Sequence, residues 1–242
     1  MGSARTRAWV AGRGLILDVP TVTFPGAVHP VQRGAIVDTA GAARMLDRLL
    51  GHRLPRFTRP LVVVTAPVLD GVAYRTEART AVQVLRPRSI LTVPSARAVA
   101  LGAGADLSRP LLVVDIGAHL TEVVLLVDGA VTDARRTALG TGDLDSATPA
   151  EISEAVATMV TAMLRQDRTS LTVDALQRGA LLAGGGALRP EITYRLTGRL
   201  HAPLKAVAAP HTAAVRGAAT LLRAAHAHPS TGGPEACTPD HG

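Results

Sequence analysis

Hydrophobic positions along this chain fall into two patterns: short β-branched runs, and longer stretches with an apolar residue every three or four positions. Alternating apolar residues from Ala8 to Leu17, broken by Gly12-Arg13-Gly14, predict a hairpin. Asp38 is placed to cap a helix that runs to Leu50 and stops at Gly51. Leu61 to Thr65 is a continuous apolar run and predicts a buried strand. Asp70 caps a second helix that ends before Pro87, Ile90 to Val93 predicts a short strand, and Ala96 to Leu101 a small-residue helix ending at Gly102. Strand, helix, strand, helix is an α/β order.

The order repeats in the second half. Leu111 to Val114 predicts a buried strand. Thr121 to Val127 and Val131 to Thr137 flank Asp128-Gly129, a strong hairpin signal. A helix follows, with Ile152, Val156, Met159, Val160 and Met163 on one face. Ala180 to Ala183 predicts a strand that ends in Gly184-Gly185-Gly186, and helices near Ile192 and Val215 flank a strand at Leu204 to Val207. The tail from His226, rich in Pro, Gly and His, reads as disordered.

The two halves align at fixed spacing. Gly2-Ser3-Ala4-Arg5-Thr6 matches Gly117-Ala118-His119-Leu120-Thr121, and each is followed by an apolar strand and a glycine turn. Asp115 stands two residues before Gly117; its counterpart would lie one residue ahead of Met1. The first copy thus lacks an acidic residue and the strand carrying it. Either the strand is lost, or Met1 is an internal residue of a longer reading frame, which is the expectation here because the edge of a buried sheet is costly to lose.

Composition narrows the class. The 242 residues are 47% hydrophobic, 19% charged and 2% aromatic, enough for one large or two small domains and too apolar for a mainly disordered chain. The apolar stretch Leu111 to Val127 is interrupted by Asp115, His119 and Glu122, which excludes a membrane-spanning helix there. The opening MGSARTRAWV lacks the apolar core of a signal peptide, and Cys237 is the one cysteine, so a cytoplasmic location is expected, with neither an internal disulfide nor a multi-cysteine zinc site. Residues 1–106 carry 14 Arg against 6 acidic residues, whereas 107–242 carry 12 basic against 13 acidic. The basic half leaves room for an anionic membrane surface; with scattered arginines and few aromatics, no specific nucleic-acid surface is expected.

The repeated strand–turn unit has a chemical use. Each tight turn can aim backbone N–H groups at a phosphate, and an Asp beside it can hold a metal through water. Two facing turns would clamp a nucleotide tail, and Gly184-Gly185-Gly186-Ala187 at a strand end would let a nucleotide approach closely. Each signal has a plainer alternative: a simple turn, or a carboxylate that fixes a hairpin. His226, His228, Cys237 and His241 could ligate a metal only by ordering a flexible tail. Asp115 alone is too little for a two-metal nuclease.

Longer segments carry a family resemblance. VVDIGAHLTEVVLLVDGAVTDARRTALGTGDLD resembles the second phosphate motif of the bacterial actin homologue MreB, in the actin-like ATPase superfamily. ALLAGGGALRPEITYRL, followed by APLKAVAAPHTAAVRGAATLL, resembles its adenosine motif and C-terminal helix. WVAGRGLILDVPTV resembles the strand pair after its first phosphate loop, HPVQRGAIVDTAGAARMLDRLL the segment re-entering its first core domain, and ALGAGADLSRP its interdomain connection.

The resemblance implies an α/β actin-like ATPase fold of two ribonuclease H-like domains with mixed sheets and flanking helices: residues 1–106, then 107–225 with the adenosine motif, then a disordered tail at 226–242. It implies ATP and Mg2+ as cofactors, held by Gly2, Ser3, Asp115, Gly117, Ala118, His119, Gly184, Gly185, Gly186 and Ala187, with Asp115 toward the metal. It further implies a cytoskeletal role in cell shape or cell-wall morphogenesis, with self-association or a filament of a full-length MreB-like relative as partner.

The departures are equally specific. The family's insertions after Phe24-Pro25 and after Asp145, which form two small outer subdomains, are nearly absent. Its three consecutive glycines in the second phosphate turn are here Gly117, Ala118 and His119, and the connection stretch Val93-Pro94-Ser95-Ala96-Arg97 holds no carboxylate to orient an attacking water. The expectation is therefore weak or structural ATP binding with poor hydrolysis. The alternative is a nucleotide-free actin-fold scaffold. A phosphotransferase of the same superfamily fits less well, since no substrate-binding acid or large cleft insertion is present.

Overall fold

The computed structural model describes residues 1–24, 29–54, 59–69 and 71–227. In the first half, β1 (Arg5–Val10) and β2 (Gly14–Pro20) form an antiparallel hairpin, and β3 (Val31–Gln32) and β4 (Ala35–Ile36) a small second one. Helix α1 (Thr39–Leu50) follows, with Asp38 capping it by accepting from Gly41 N–H at 2.7 Å. Then come β5 (Leu61–Ala66), α2 (Gly71–Val82), β6 (Ser89–Pro94) and α3 (Ser95–Gly102). The expected cap at Asp70 lies outside the described residues.

The second half builds β7 (Leu111–Ile116), β8 (Thr121–Val127), β9 (Ala130–Thr137), α4 (Pro149–Gln166), α5 (Leu171–Arg178), β10 (Ala180–Ala183), α6 (Pro190–Leu200), β11 (Leu204–Ala206) and α7 (Ala213–Ala227). The turn at Asp128 and Gly129 takes the positive φ angles, 49° and 71°, that its sequence demands. Thr148 caps α4 reciprocally with Glu151, so the chain passes from Asp145 into this helix within a few residues. The five apolar residues expected on one face of α4 are all buried. Ala227 closes α7, and residues 228–242, most of the tail expected to be disordered, lie outside the description, as do the His226 side chain and the other tail metal candidates, His228, Cys237 and His241.

The second half forms one five-stranded mixed sheet in the order β11-β10-β7-β8-β9, with β7 at its centre, antiparallel to β8 and parallel to β10. Helices cover both faces, so β7 and β10 are almost wholly buried. The first half places the same elements in two separate pieces. Among the described residues β1 pairs only with β2, and β5 only with β6, which lies parallel to it. The expectation of a buried strand at Leu61 to Thr65 is met in part: Val64 and Ala66 are buried, but Val62, Val63 and Thr65 keep some exposure. A strand with a hydrogen-bonded neighbour on one side cannot bury as β10 does.

Helices α3 and α7 pack together where the halves meet. Glycines make the close crossing possible: a Cβ on Gly102 would run into the Ala213 carbonyl, and one on Gly217 into the Ala98 carbonyl. Helix α7 also packs against both β1 and β5. Polar contacts also join the halves elsewhere. The amides of Val68 and Leu69 donate to Glu122 Oε1, Arg33 Nη2 donates to Asp143 Oδ1 at 2.9 Å, and Ser3 meets His119.

Candidate functional site

A cavity of about 680 Å³ runs from the gap between β1 and β5 to the junction of the halves. Two turns meet at its junction end. In each, a glycine amide donates to the carbonyl three residues on: Gly2 to Arg5 at 3.0 Å, and Gly117 to Leu120 at 2.9 Å. A threonine hydroxyl braces each turn, from Thr21 to Gly2 O at 2.6 Å and from Thr141 to Gly117 O at 3.3 Å. The repeat seen in the sequence is thus a repeat of hydrogen bonding. The turns face one another, with Ser3 Oγ 3.0 Å from His119 Nδ1.

Of the ten residues singled out from the sequence, Gly2, Ser3, Asp115, Gly117, Ala118, Gly184 and Gly185 line this cavity. His119, Gly186 and Ala187 do not. The His119 ring lies over Gly142, whose Cβ position is 2.6 Å from Nε2. Gly186 lies against the Ile116 side chain, and Ala187 packs into the core beside β7. At Gly184, φ +81°, a Cβ would run into the Ile116 carbonyl and come within 2.6 Å of Asp115 Oδ1. Of the three, only Gly185 has room for a Cβ, which would meet Thr141 Oγ1 at an ordinary contact distance of 3.7 Å. Gly184 and Gly186 therefore fit the loop closely against β7, while Gly184 and Gly185 border the cavity.

Asp115 and Glu122 stand directly opposite on β7 and β8. Burial raises Asp115 to about 6, opposed by the charge of Arg7. Glu122 is 4% exposed and rises to about 7: burial is the main cause, the charge of Asp115 adds to it, and hydrogen bonds from Val68, Leu69 and Ser95 oppose it. Ser95 Oγ donates to Glu122 Oε2 at 3.4 Å. A carboxylate thus reaches the first turn of α3 from the neighbouring half, although the α3 segment itself contains none. In the sequence Glu122 stands out only as a break in an apolar run. Its signal was there: one acid directly before the apolar run Val123–Val127, opposite Asp115.

The residues fit the phosphate end of a nucleotide. Residues of both turns line one cavity, and Asp115 borders it. No cluster of three or more His, Cys, Asp or Glu occurs among the described residues, so a cage made only of protein ligands is absent there. Magnesium held by phosphate and water needs only one or two carboxylates, and Asp115 supplies one. The Ala118 methyl group and the Ser3–His119 contact narrow the same space. No helix of the described residues is long and apolar enough to cross a membrane.

Comparison with known proteins agrees with this architecture. The family model for MreB/Mbl protein matches residues 26–154. The cell shape-determining protein MreB of Escherichia coli K12 is 26% identical over 181 residues, covering 61% of this chain and 52% of that protein. The chain therefore spans about half the length of the curated relatives it matches. Among solved structures, MreB 5 of Spiroplasma citri bound to AMPPNP superposes with a TM-score of 0.81 at 15% identity, covering 93% of this chain and 95% of that one. The MamK double helical filament gives 0.65 at 17% identity, covering 83% and 81%. These likenesses show an actin-like ATPase fold, and the family match shows that the chain belongs to the MreB/Mbl family of bacterial actin homologues.

Proposed function

We propose that this chain is a reduced MreB-like cytoskeletal protein that works in cell shape or cell-wall organisation, by self-association or by joining a filament of a full-length relative. One observation carries the reading: two matching glycine-led turns face each other across a cavity bordered by Asp115, in a member of this family. We divide the chain into two ribonuclease H-like domains, residues 1–106 and 107–225, without outer subdomains.

In this reading ATP binds weakly or as a structural ligand. The amides of the two turns orient its phosphates, and Asp115 holds magnesium through water. Bound magnesium would neutralise phosphate charge. Hydrolysis is poor, because α3 opens on Ser95 and the nearby carboxylate of Glu122 is engaged by Val68, Leu69 and Ser95. The protein is placed in the cytoplasm. Its arginine-rich first half is available to an anionic membrane surface.

The test combines calorimetric titration of Mg·ATP with high-speed pelleting of the chain, alone and mixed with a full-length MreB. Saturable binding and co-pelleting support the reading. Binding with neither self-assembly nor co-pelleting removes the filament role. Anionic vesicles decide the membrane contact by co-sedimentation that falls as salt rises. A second reading, an actin-fold scaffold without nucleotide, is favoured by the Ser3–His119 contact across the space between the turns. Co-pelleting without Mg·ATP binding would establish it.

A further inference from the structure

The small hairpin β3–β4 is rooted in one half of the molecule and ends on the other. At its base Val31 and Ile36 pair directly, and both are buried in the core under α1 and α2. The amides of Val37 and Asp38 close the base by donating to Pro30 O. The tip is Arg33-Gly34, with φ angles of 44° and 82°. A two-residue turn with both angles positive favours Asn, Asp or Gly at its first position, where Arg33 stands. A backbone conformation of this kind persists where surrounding contacts hold it.

Those contacts lie on the second half. Arg33 Nη2 donates to Asp143 Oδ1 at 2.9 Å, and Arg33 Nη1 donates to Ala138 O. Asp143 is 9% exposed, and its Oδ2 accepts from Gly140 N–H, so Arg33 meets a carboxylate already fixed in place. Gly34 lies against Leu120, where a Cβ would come within 2.7 Å of Leu120 Cδ2. The stretch 138–143 is in turn bonded to the turn at Gly117. Thr141 N–H donates to Gly117 O, Gly142 N–H to Ala118 O, and Thr121 Oγ1 to Leu139 O. The fork of Arg33 therefore grips the block that carries the second glycine-led turn. Just ahead of β3, His29 Nδ1 donates to Ser3 O at 2.9 Å, in the first turn. One short segment thus bonds to both turns, and its Val31 and Gly34 line the cavity beside them.

We propose that the β3–β4 hairpin is a strap across the junction end of the cavity, with Arg33 the positioning residue that holds the Gly117 turn against the Gly2 turn and limits entry to the space between them. The charge pair alone would add little, because Arg33 is 52% exposed. The second bond, to Ala138 O, gives the planar fork two fixed points, which a lysine cannot match. The crossing of α3 and α7 joins the halves separately, so release of Arg33 parts the turns without parting the halves. The inference does not depend on nucleotide binding.

The test times entry to the cavity with a thiol at position 185, which lines the cavity and has room for a Cβ. Gly185→Cys is made in the full chain together with Cys237→Ser, and labelling by N-ethylmaleimide is followed with Arg33, with Arg33→Lys and with Arg33→Asn. Asparagine suits the turn and makes neither bond to the second half. Arg33→Asn is expected to speed labelling about fivefold or more, as the loss of one or two net hydrogen bonds implies, with Arg33→Lys in between. Tyr194→Cys, on the exposed face of α6, is the surface control and should label at one rate in all three backgrounds. Amide exchange should quicken at Thr141 and Gly142 and stay unchanged in β7 and β8, whose opening reports global unfolding. Equal labelling at position 185 with Arg33 and with Arg33→Asn overturns the proposal. So does faster labelling matched by an equal rise of exchange in β7 and β8, because Arg33 then holds up the whole fold and not the strap.

Discussion

Ser3 Oγ lies 3.0 Å from His119 Nδ1, and this one contact ties together the two turns that occupy the same place in the repeat. A phosphate entering between the turns must displace it or be coordinated by it. Glycine at position 119 frees the turn backbone and removes the contact. If phosphate enters there, His119→Gly should tighten Mg·ATP binding by about threefold to tenfold, the worth of roughly one net hydrogen bond. Calorimetric titration measures it. An unchanged affinity places the phosphates elsewhere.

The pH dependence of stability should carry the signature of Glu122. Its folded value is raised to about 7 from an ordinary 4.5. The folded protein therefore holds a proton that the unfolded chain has released, and stability falls as pH rises from about 4.5 through 7. The Met1 amine works in the opposite sense, since burial and then Arg7 lower it from 8.0 to about 6, so its contribution rises with pH. Comparison with Glu122→Gln cancels that second effect. Gln keeps an acceptor for the Val68 and Leu69 amides and cannot ionise. Between pH 5 and pH 8 the variant should gain on the order of 2 kcal/mol relative to the parent. Urea unfolding at several pH values decides it, and parallel curves would place the titrating group elsewhere.

Legibility in the sequence followed the range of the forces involved. Asp128-Gly129 announced its hairpin because a two-residue turn demands positive φ from residues that tolerate it. Asp38 announced α1 because a cap acts on the next three residues. The five buried residues of α4 followed from period alone. The eight residues of Leu171–Arg178 did not announce a helix; they are too few for a clear period, and Ser170 before them sits at φ 63°. Leu61 to Thr65 showed that it was a strand but not how many neighbours it has, since that number depends on other segments. Glu122 was legible as an oddity and not as a junction, because Val68 and Leu69 reach it only through the fold.

The crossing of α3 and α7 should tolerate no side chain at Gly217. A Cβ there would meet the Ala98 carbonyl and come within 2.9 Å of Gly102 N, and backbone cannot rotate away as a flexible side chain can. Gly217→Ala should cost on the order of 2 kcal/mol or more by forcing the helices apart. Gly198→Ala is the matching control, since its Cβ position meets nothing within 4 Å and helix propensity favours Ala. Thermal unfolding of the pair should show a lower midpoint for the first and an equal or higher one for the second. Equal midpoints would mean that the crossing relaxes freely.

Gly185 and Gly186 are adjacent, yet the structure assigns them different work. A Cβ at Gly186 would run into the Ile116 side chain close to its own Cβ, where β7 is fully buried and cannot shift. Gly186→Ala should therefore destabilise the protein by about 1–3 kcal/mol, the usual cost of overpacking a close contact. A Cβ at Gly185 has only Thr141 Oγ1 nearby, at 3.7 Å, and φ there does not require glycine. Gly185→Ala should fold with an unchanged midpoint and place its methyl group in the cavity. If a nucleotide occupies that space, this variant lowers affinity severalfold while Gly186→Ala, measured at a temperature where it is folded, lowers it less. Denaturant curves and Mg·ATP titrations on both variants separate the two effects. A drop in stability at Gly185 equal to that at Gly186 would mean that the whole Gly184–Ala187 loop serves the sheet and none of it the ligand.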